Sequence, residues 1–268
     1  MSKILVTGGD GFVGGYLKNY LGQRHQVIAP GRSLLDLTNL HSVNSFFDNN
    51  DIDTVVHCAL IGRNNINGVD DQLAIGNMNM FANLYRNRHR FGRLINMGTG
   101  NEFDTTVKND TAAESTLFER MPVSSYAYAK NMIARCIADT ENMYNLRLFG
   151  VFGNKEANTR FFKRLKLATE AFHIFQDNYF DFLWVDDLCT IVESAVTEDW
   201  PWRDVNCVYP DKHLMSELAY QFAEIQGIDS DLIVVDAVGN LNFTGHSGRL
   251  AALNLPLKGR TEGFRSYV

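Results

Sequence analysis

Tyr126 and Lys130 stand four residues apart in Ser125-Tyr126-Ala127-Tyr128-Ala129-Lys130. On a helix that spacing puts both side chains on one face. A free phenol ionises at about pH 10 and carries protons poorly at neutral pH. A lysine cation one turn away favours the phenolate and brings the phenol towards the working range of a general acid or base. Tyr128 has no lysine at that spacing, so Tyr126 is the candidate. Taken alone, the pair is equally an amphipathic helix with an exposed lysine. A second constellation opens the chain: Gly8-Gly9-Asp10-Gly11-Phe12-Val13-Gly14, with glycines at positions 8, 11 and 14. The first permits a tight turn, the second a close approach to a pyrophosphate, and the third close packing of helix on strand. Free N–H groups and the positive end of a helix dipole then face the phosphates. The bland alternative is a plain tight turn; position between a strand and a helix is what favours a dinucleotide site.

The elements around these residues have a consistent rhythm. Residues 3–7 read as a buried strand and 14–23 as a helix. Residues 26–29 are a second strand, 42–48 part of a short helix, and 54–58 a third strand. A long helix over 74–87, a strand over 93–97, a long helix over 126–144 and a strand over 146–149 complete the first half. Strands that alternate with helices predict parallel units with right-handed crossovers and helices on both faces. The expected fold is therefore α/β, a Rossmann-like doubly wound parallel sheet over residues 1–150. Beyond it the alternation loosens and aromatics gather: Phe161, Phe162, Phe172, Phe175, Tyr179, Phe180, Phe182 and Trp184. A smaller, irregular α/β lobe is expected over 151–268, with some exchange of strands and helices between the two.

The end of the second strand bears on which dinucleotide is bound. NAD sites usually carry an acid there for the ribose 2′-hydroxyl, whereas NADP sites place an arginine nearby. Gln26-Val27-Ile28-Ala29-Pro30-Gly31-Arg32-Ser33 has no acid, and Arg32 offers a fork suited to a 2′-phosphate. NADP is the expected cofactor and NAD the alternative; a solvated loop arginine is the other reading of Arg32.

Composition narrows the classes. Of 268 residues, 45% are apolar and 21% charged, which excludes disordered and low-complexity chains. At about 150 residues per domain the length suits one large domain or two small ones. A net charge of −6 argues against nucleic-acid or anionic-lipid partners. Apolar stretches fall short of the ~20 residues that span a bilayer, so no membrane partner is expected. The N-terminus enters a strand without a signal-peptide pattern. Cys58, Cys136, Cys189 and Cys207 are scattered without metal-ligand spacing. They predict reduced thiols, no metal and a cytoplasmic location.

With these landmarks in one order, the sequence resembles the extended short-chain dehydrogenases/reductases that act on sugar nucleotides. The resemblance runs from Thr7-Gly8-Gly9-Asp10-Gly11-Phe12-Val13-Gly14 through Asp36-Leu37 and Val55-Val56-His57-Cys58-Ala59. It continues through Asn77, Asn83-Leu84, Tyr126 to Lys130, Leu146-Arg147-Leu148-Phe149 and Trp184-Val185-Asp186-Asp187-Leu188. It implies a nucleotide-sugar substrate bound between the two lobes, Tyr126 as general acid/base, and Lys130 on the nicotinamide ribose. It also implies Thr99, in Met97-Gly98-Thr99-Gly100-Asn101, as the hydroxyl on the reacting sugar oxygen. Met97 would border the cofactor, with Gly100 and Asn101 on the substrate side. Asp36 and Leu37 would lie beside adenine, with Cys58, Ala59 and Leu60 lining the cofactor after the third strand. Asn77 would support the site from a helix.

Departures from the family pattern matter as much. Phe180 stands where many members place an arginine on the substrate diphosphate, leaving Arg160 and Arg249 as candidates for that charge. The short connection from Gly31 to Asn39 looks most like NADPH-using 4-keto-sugar reductases such as the GDP-fucose synthases. Their additional epimerising cysteine and histidine are replaced by Asn101 and Lys155. The expectation is an NADPH-dependent reductase of a 4-keto-6-deoxy nucleotide sugar. The alternatives are an NAD-dependent 4-epimerase and a non-catalytic NADP sensor. Dehydration is disfavoured, since Gly100-Asn101 holds the places of an Asp-Glu pair and Glu102 comes one residue late. Family members commonly form homodimers through a four-helix bundle. The candidate helices carry Met78, Phe81, Leu84, Met132, Ile133, Cys136 and Ile137, which plain core packing would equally explain.

Overall fold

The computed structural model describes residues 1–62, 71–107 and 111–268. Its first half alternates as the pattern predicts: β1 (Lys3–Thr7), α1 (Phe12–Leu21), β2 (Gln26–Ile28), α2 (Leu40–Asp48), β3 (Thr54–His57), α3 (Asp71–Arg86), β4 (Arg93–Thr99), α4 (Ser125–Ala138) and β5 (Met143–Leu148). Two short pieces follow, β6 (Gly150–Phe152) and α5 (Phe161–Lys166), then β7 (Phe172–Ile174), β8 (Phe182–Trp184), α6 (Val185–Thr197) and β9 (Asp204–Asn206). The chain closes with α7 (Met215–Gln226), β10 (Ile233–Val235), α8 (Gly248–Ala252) and α9 (Arg260–Arg265). The large sheet is parallel throughout, in the order β2-β1-β3-β4-β5-β9, with helices on both faces: a doubly wound α/β fold.

Successive strand residues serve opposite faces. Ile4, Val6, Val56, Ile95 and Leu146 pack with Leu17 and Leu21 of α1 and with Leu188, Ile191 and Val192 of α6. Leu5, Val55, Leu94 and Met143 pack with Val43 and Phe47 of α2, with Met80, Phe81 and Leu84 of α3, and with Ile133 and Ile137 of α4. Phe81, Leu84, Ile133 and Ile137 are thus core, and their burial removes them from the set expected at a dimer interface.

The fourth helix is shorter than its pattern suggested. It stops at Ala138, and Met143 and Tyr144 open β5 instead of closing the helix. Thr140 Oγ1 donates to the Cys136 carbonyl at 2.6 Å, and Asn142 takes a left-handed φ of 57° that turns the chain into the sheet. The apolar pair that fits a helical face fits strand alternation equally, with Met143 towards α4 and Tyr144 away.

On the α3/α4 face the sheet changes character along its strands. Leu5, Val55, Leu94 and Met143 lie abreast in register. Two residues further on, Thr7, His57, Asn96, Asn145 and Asp204 form the next row across five strands. His57, Asn96 and Asn145 are buried. Thr7 Oγ1 lies 2.9 Å from His57 Nδ1 and accepts the Ala59 amide at 3.2 Å, which pins the start of the loop after β3. Asn96 Nδ2 donates to Asn145 Oδ1 at 2.6 Å.

The second half wraps an aromatic core. Phe152, Phe162, Phe182, Phe222 and Phe264 meet with ring centroids 4.8 to 5.2 Å apart, in tilted and edge-on pairs. Two small parallel sheets, β6-β8 and β7-β10, frame it. This half is not self-contained in sequence: α6 packs on α1, and β9 extends the large sheet beside β5. Asp187 of α6 ties the parts together. It accepts the Tyr209 hydroxyl at 2.5 Å and the amides of Lys258 and Gly259 at 2.8 Å each.

Replacing Asp187 by Ala leaves the buried Tyr209 hydroxyl and two part-buried amides without their acceptor and is expected to cost about 2 kcal/mol or more in urea unfolding. His57 gives a pH signature. Burial, helped by the nearby Lys130 charge, pushes its imidazole down from 6.5 to about 3. Between those values the unfolded chain binds a proton that the folded chain refuses, so acid removes stability across this window. His57→Gln is expected to flatten the fall in stability from about pH 6.5 to about pH 4, measured by urea unfolding at each pH; an unchanged slope contradicts the assignment.

Candidate functional site

The glycine turn forms where β1 hands over to α1. Gly8 adopts φ +69°, and a Cβ there would lie 2.8 Å from the Ala59 backbone. At Gly14 a Cβ would approach the Gly8 carbonyl oxygen to 2.1 Å. The Gly11 amide closes the turn on that oxygen at 3.0 Å. Only glycine fits at both positions, because neighbouring backbone fills the place of a side chain; the tight turn this allows lines a cavity with Gly8, Gly9 and Asp10 at the N-terminal end of α1. That arrangement fits the pyrophosphate of a dinucleotide.

Two cavities adjoin here and share Ala59 and Leu60. The first, about 330 Å³, is lined by Gly8, Asp10, Arg32, Asp36 and Leu37 among others, and suits the adenosine half. Arg32 is exposed and lies 3.6 Å from the Asp36 carboxylate. Hydrogen bonds from the Thr38 hydroxyl and amide, with Arg32 beside them, hold the Asp36 carboxyl below the usual range against a smaller opposing effect of burial.

The second cavity, about 320 Å³, collects Phe12, Val13, Cys58, Met97, Thr99, Tyr126, Lys130 and Arg160. Here the three residues singled out for chemistry converge. Ser124 caps α4 by accepting the Ala127 amide at 3.3 Å, which sets Tyr126 in the first turn and Lys130 one turn on. Lys130 is buried, and its Nζ donates to the Met97 carbonyl at 3.1 Å. Burial draws its ammonium below the ordinary lysine range, while the Glu102 carboxylate opposes that shift. Burial also pushes the Cys58 thiol up to about 12, so it keeps its proton at neutral pH.

Thr99 ends β4 and caps a 3-10 turn, Gly100–Glu102. Its Oγ1 accepts the Asn101 amide at 3.3 Å and Asn101 Nδ2 at 3.4 Å. Two donors on the oxygen leave the hydroxyl hydrogen to be given away. Thr99 therefore both bonds its own turn and lines the cleft.

Other candidates lie elsewhere. Gly14 and Gly100 are buried and shape the backbone; a Cβ on Gly100 would strike Phe149 at 2.5 Å. Asn77 is buried behind the wall, where it accepts the Ile61 amide and donates to the carbonyls of Ile61 and Leu73, so it braces the loop after β3. Arg249 is bound to Asp204, through both the backbone carbonyl and the carboxylate, and does not line the cleft. Arg160 does reach it, steadied by the Val151 carbonyl at 3.1 Å. Phe180 packs against Phe182 and Phe243, an apolar contact in place of the charge looked for there. Lys155 lies across the glycine turn, over the Tyr16 ring and outside the reaction cleft.

Sequence reasoning missed the support beneath Thr99. Glu102 and Arg147 are fully buried and paired at 2.8 Å. Two signals were readable: Thr-x-x-Glu is a capping-box pattern, and Arg147 interrupts an apolar strand. Among the described residues, no group of three or more histidines, cysteines or acids could hold a metal ion, and no helix is long and apolar enough to cross a membrane.

Solved structures share this fold across nearly the whole chain. A GDP-mannoheptose C4 reductase from Campylobacter jejuni with NADP bound superposes with a TM-score of 0.82 at 18% identity, covering 99% of this chain and 96% of that one. A GDP-L-fucose synthetase from Naegleria fowleri bound to NADP gives 0.83 at 17%, covering 99% and 91%. A dTDP-glucose 4,6-dehydratase from Bacillus anthracis in complex with NAD gives 0.79 at 15%, covering 99% and 95%. No curated protein matches the sequence. A family model does, over residues 4–207, a span that runs from β1 through β9 and takes in every residue lining both cavities. With that match laid over a glycine cradle and a Tyr–Lys–Thr cleft, the chain belongs to the NAD dependent epimerase/dehydratase family, whose members are NAD(P)-dependent enzymes.

Proposed function

We propose that this protein is a cytoplasmic reductase that uses NADPH to reduce the C4 carbonyl of a 4-keto-6-deoxy nucleotide sugar. The observation that carries the proposal is the convergence of Tyr126, Lys130 and Thr99 on one cavity that adjoins the dinucleotide cradle. When bound, NADPH supplies a hydride to the carbonyl carbon. Tyr126 gives its phenolic proton to the carbonyl oxygen, so the C=O becomes CH–OH. Thr99 donates its hydroxyl hydrogen to the same oxygen and holds it in line. Lys130 places a positive charge beside the phenol as it loses its proton, and the N-terminal end of α4 acts in the same sense. Arg160, a cation on the cleft wall, takes the substrate diphosphate.

Two features favour reduction alone over reduction joined to epimerisation. Removing a proton next to the carbonyl needs a second acid/base, and Asn101 is an amide while Lys155 lies outside the cleft. Cys58, which does line it, holds its proton too tightly at neutral pH. For the cofactor, Arg32 meets Asp36 only loosely, and a 2′-phosphate dianion is the stronger partner for its fork. The Campylobacter C4 reductase and the Naegleria GDP-L-fucose synthetase described above were also solved with NADP. The protein pairs with a second copy through the exposed outer faces of α3 and α4, which carry Ile75, Tyr128 and Cys136.

The test is loss of NADPH absorbance with 4-keto forms of UDP-, GDP-, dTDP- and CDP-sugars, with products read by mass spectrometry. Tyr126→Phe is expected to lower kcat by at least about a hundredfold with NADPH binding retained; unchanged turnover rejects the assigned acid. Turnover of a 4-hydroxy nucleotide sugar without added cofactor assigns the protein to 4-epimerisation instead. Arg32→Ala is expected to raise KM for NADPH on the order of tenfold while leaving KM for NADH nearly unchanged. Equal effects on both would remove Arg32 from the 2′-phosphate.

A further inference from the structure

A carboxylate at zero exposure needs a reason, and Glu102 has one in its partners. Its Oε1 accepts the Thr99 amide at 2.9 Å. Its Oε2 accepts Asn145 Nδ2 and Arg147 Nε, each at 2.8 Å. Its backbone carbonyl accepts Asn131 Nδ2 of α4 at 2.8 Å. One residue therefore joins the end of β4, the helix that carries Tyr126 and Lys130, and the middle of β5. Arg147 is equally buried and anchored beyond the pair, with Nη1 on Asn206 Oδ1 at 2.8 Å and Nη2 at 3.4 Å from Asp204. The chain clears space for this carboxylate: a Cβ on Gly98 would lie 2.5 Å from Glu102 Oε1 and 2.7 Å from Asn145 Oδ1.

Stability alone does not account for the charge, because a well-packed apolar pair of similar volume usually serves a core as well as a buried ion pair. The geometry points to Thr99. We infer that Glu102 is a positioning residue, which holds the Thr99 amide so that the capped turn delivers the Thr99 hydroxyl hydrogen into the cleft. If the acceptor is lost, the Thr99 amide is stranded and the 3-10 turn relaxes. The oxygen then no longer meets the Asn101 donors that orient it. This inference rests on the role given to Thr99 under the proposed function, and its test separates the two.

Two paired substitutions remove the charges without stranding either one. Glu102→Gln with Arg147→Met keeps an acceptor for the Thr99 amide. The Asn96–Asn145 amides can turn over together to meet the new NH₂ group, because Asn96 Oδ1 is buried without a partner and can receive the Asn145 donor. Glu102→Met with Arg147→Met keeps the volume and removes the acceptor. Both pairs lose the carboxylate that supports the Lys130 ammonium, so they are read against each other, and the first pair is expected to keep the higher kcat. The second is expected to lose about thirtyfold or more in kcat relative to the first, with KM and the NADPH Kd within about threefold. Amide exchange at Thr99, read without substrate, is expected to be slow in the parent and in the Gln pair, and at least about tenfold faster in the Met pair. Equal kcat in the two pairs, or Thr99 exchange in the parent as fast as that of exposed turns, overturns the inference. The parent measurement decides it even if neither pair folds. If the parent reduces no keto nucleotide sugar, the proposed function fails while the exchange readings still judge Glu102.

Discussion

A buried polar group must find a partner inside the protein, and on one face of this sheet that demand arises abruptly. Leu5, Val55, Leu94 and Met143 make an apolar row; two residues later the same strands present Thr7, His57, Asn96, Asn145 and Asp204. The first row needs only close packing. The second must be satisfied donor by donor at a cost of about 1 to 3 kcal/mol for each omission. The Thr7–His57 contact, the Asn96–Asn145 bond and the Glu102 carboxylate meet most of that demand. In doing so they fix the loop after β3 and the turn after β4, the two backbone segments that flank the cleft. Lys130 enters from α4 at this level and finds the Met97 carbonyl and a nearby carboxylate instead of hydrocarbon.

Local patterns carried much of the fold and the centre of the site. The glycine turn, the strand–helix rhythm and the Tyr–Lys spacing depend on residues close in sequence, and the structure brings each to its expected place. Where a side chain's partner comes from far along the chain, the sequence was a poorer guide. Arg249 is by sequence a candidate for the substrate diphosphate, but Asp204 of β9 holds it. Asn77 is expected to support the site, but the sequence does not tell that it does so by bracing the backbone of Ile61 and Leu73 from behind. Glu102 looked like a misplaced acid because its partner, Arg147, is 45 residues away. The boundary near residue 138 failed for a different reason: Met143 and Tyr144 satisfy either periodicity, and one left-handed asparagine decides between them.

The second half of the chain relies on rings. With β6, β7, β8, β9 and β10 only three residues long each, backbone ladders supply little cooperativity. Phenylalanine pairs supply the rest, and they extend to the cleft itself. Phe103, Phe149, Phe243 and Phe180 form a chain of ring contacts, stacked, edge-on and tilted in turn, that ends behind the turn carrying Thr99. That side of the wall is therefore apolar, and Arg160 stands half-exposed at its edge, 3.9 Å from the buried Glu156 carboxylate and bonded to the Val151 carbonyl.

The Asp187 carboxylate has a consequence for how the parts around it can move. It sits on a helix packed against the large sheet, yet its donors are a tyrosine after β9 and two amides close to the last helix. Parting that helix from Tyr209 and from the segment at Lys258 and Gly259 would tear three short bonds from one buried anion. That single carboxylate works as a three-way clasp, and it makes separate movement of these segments costly.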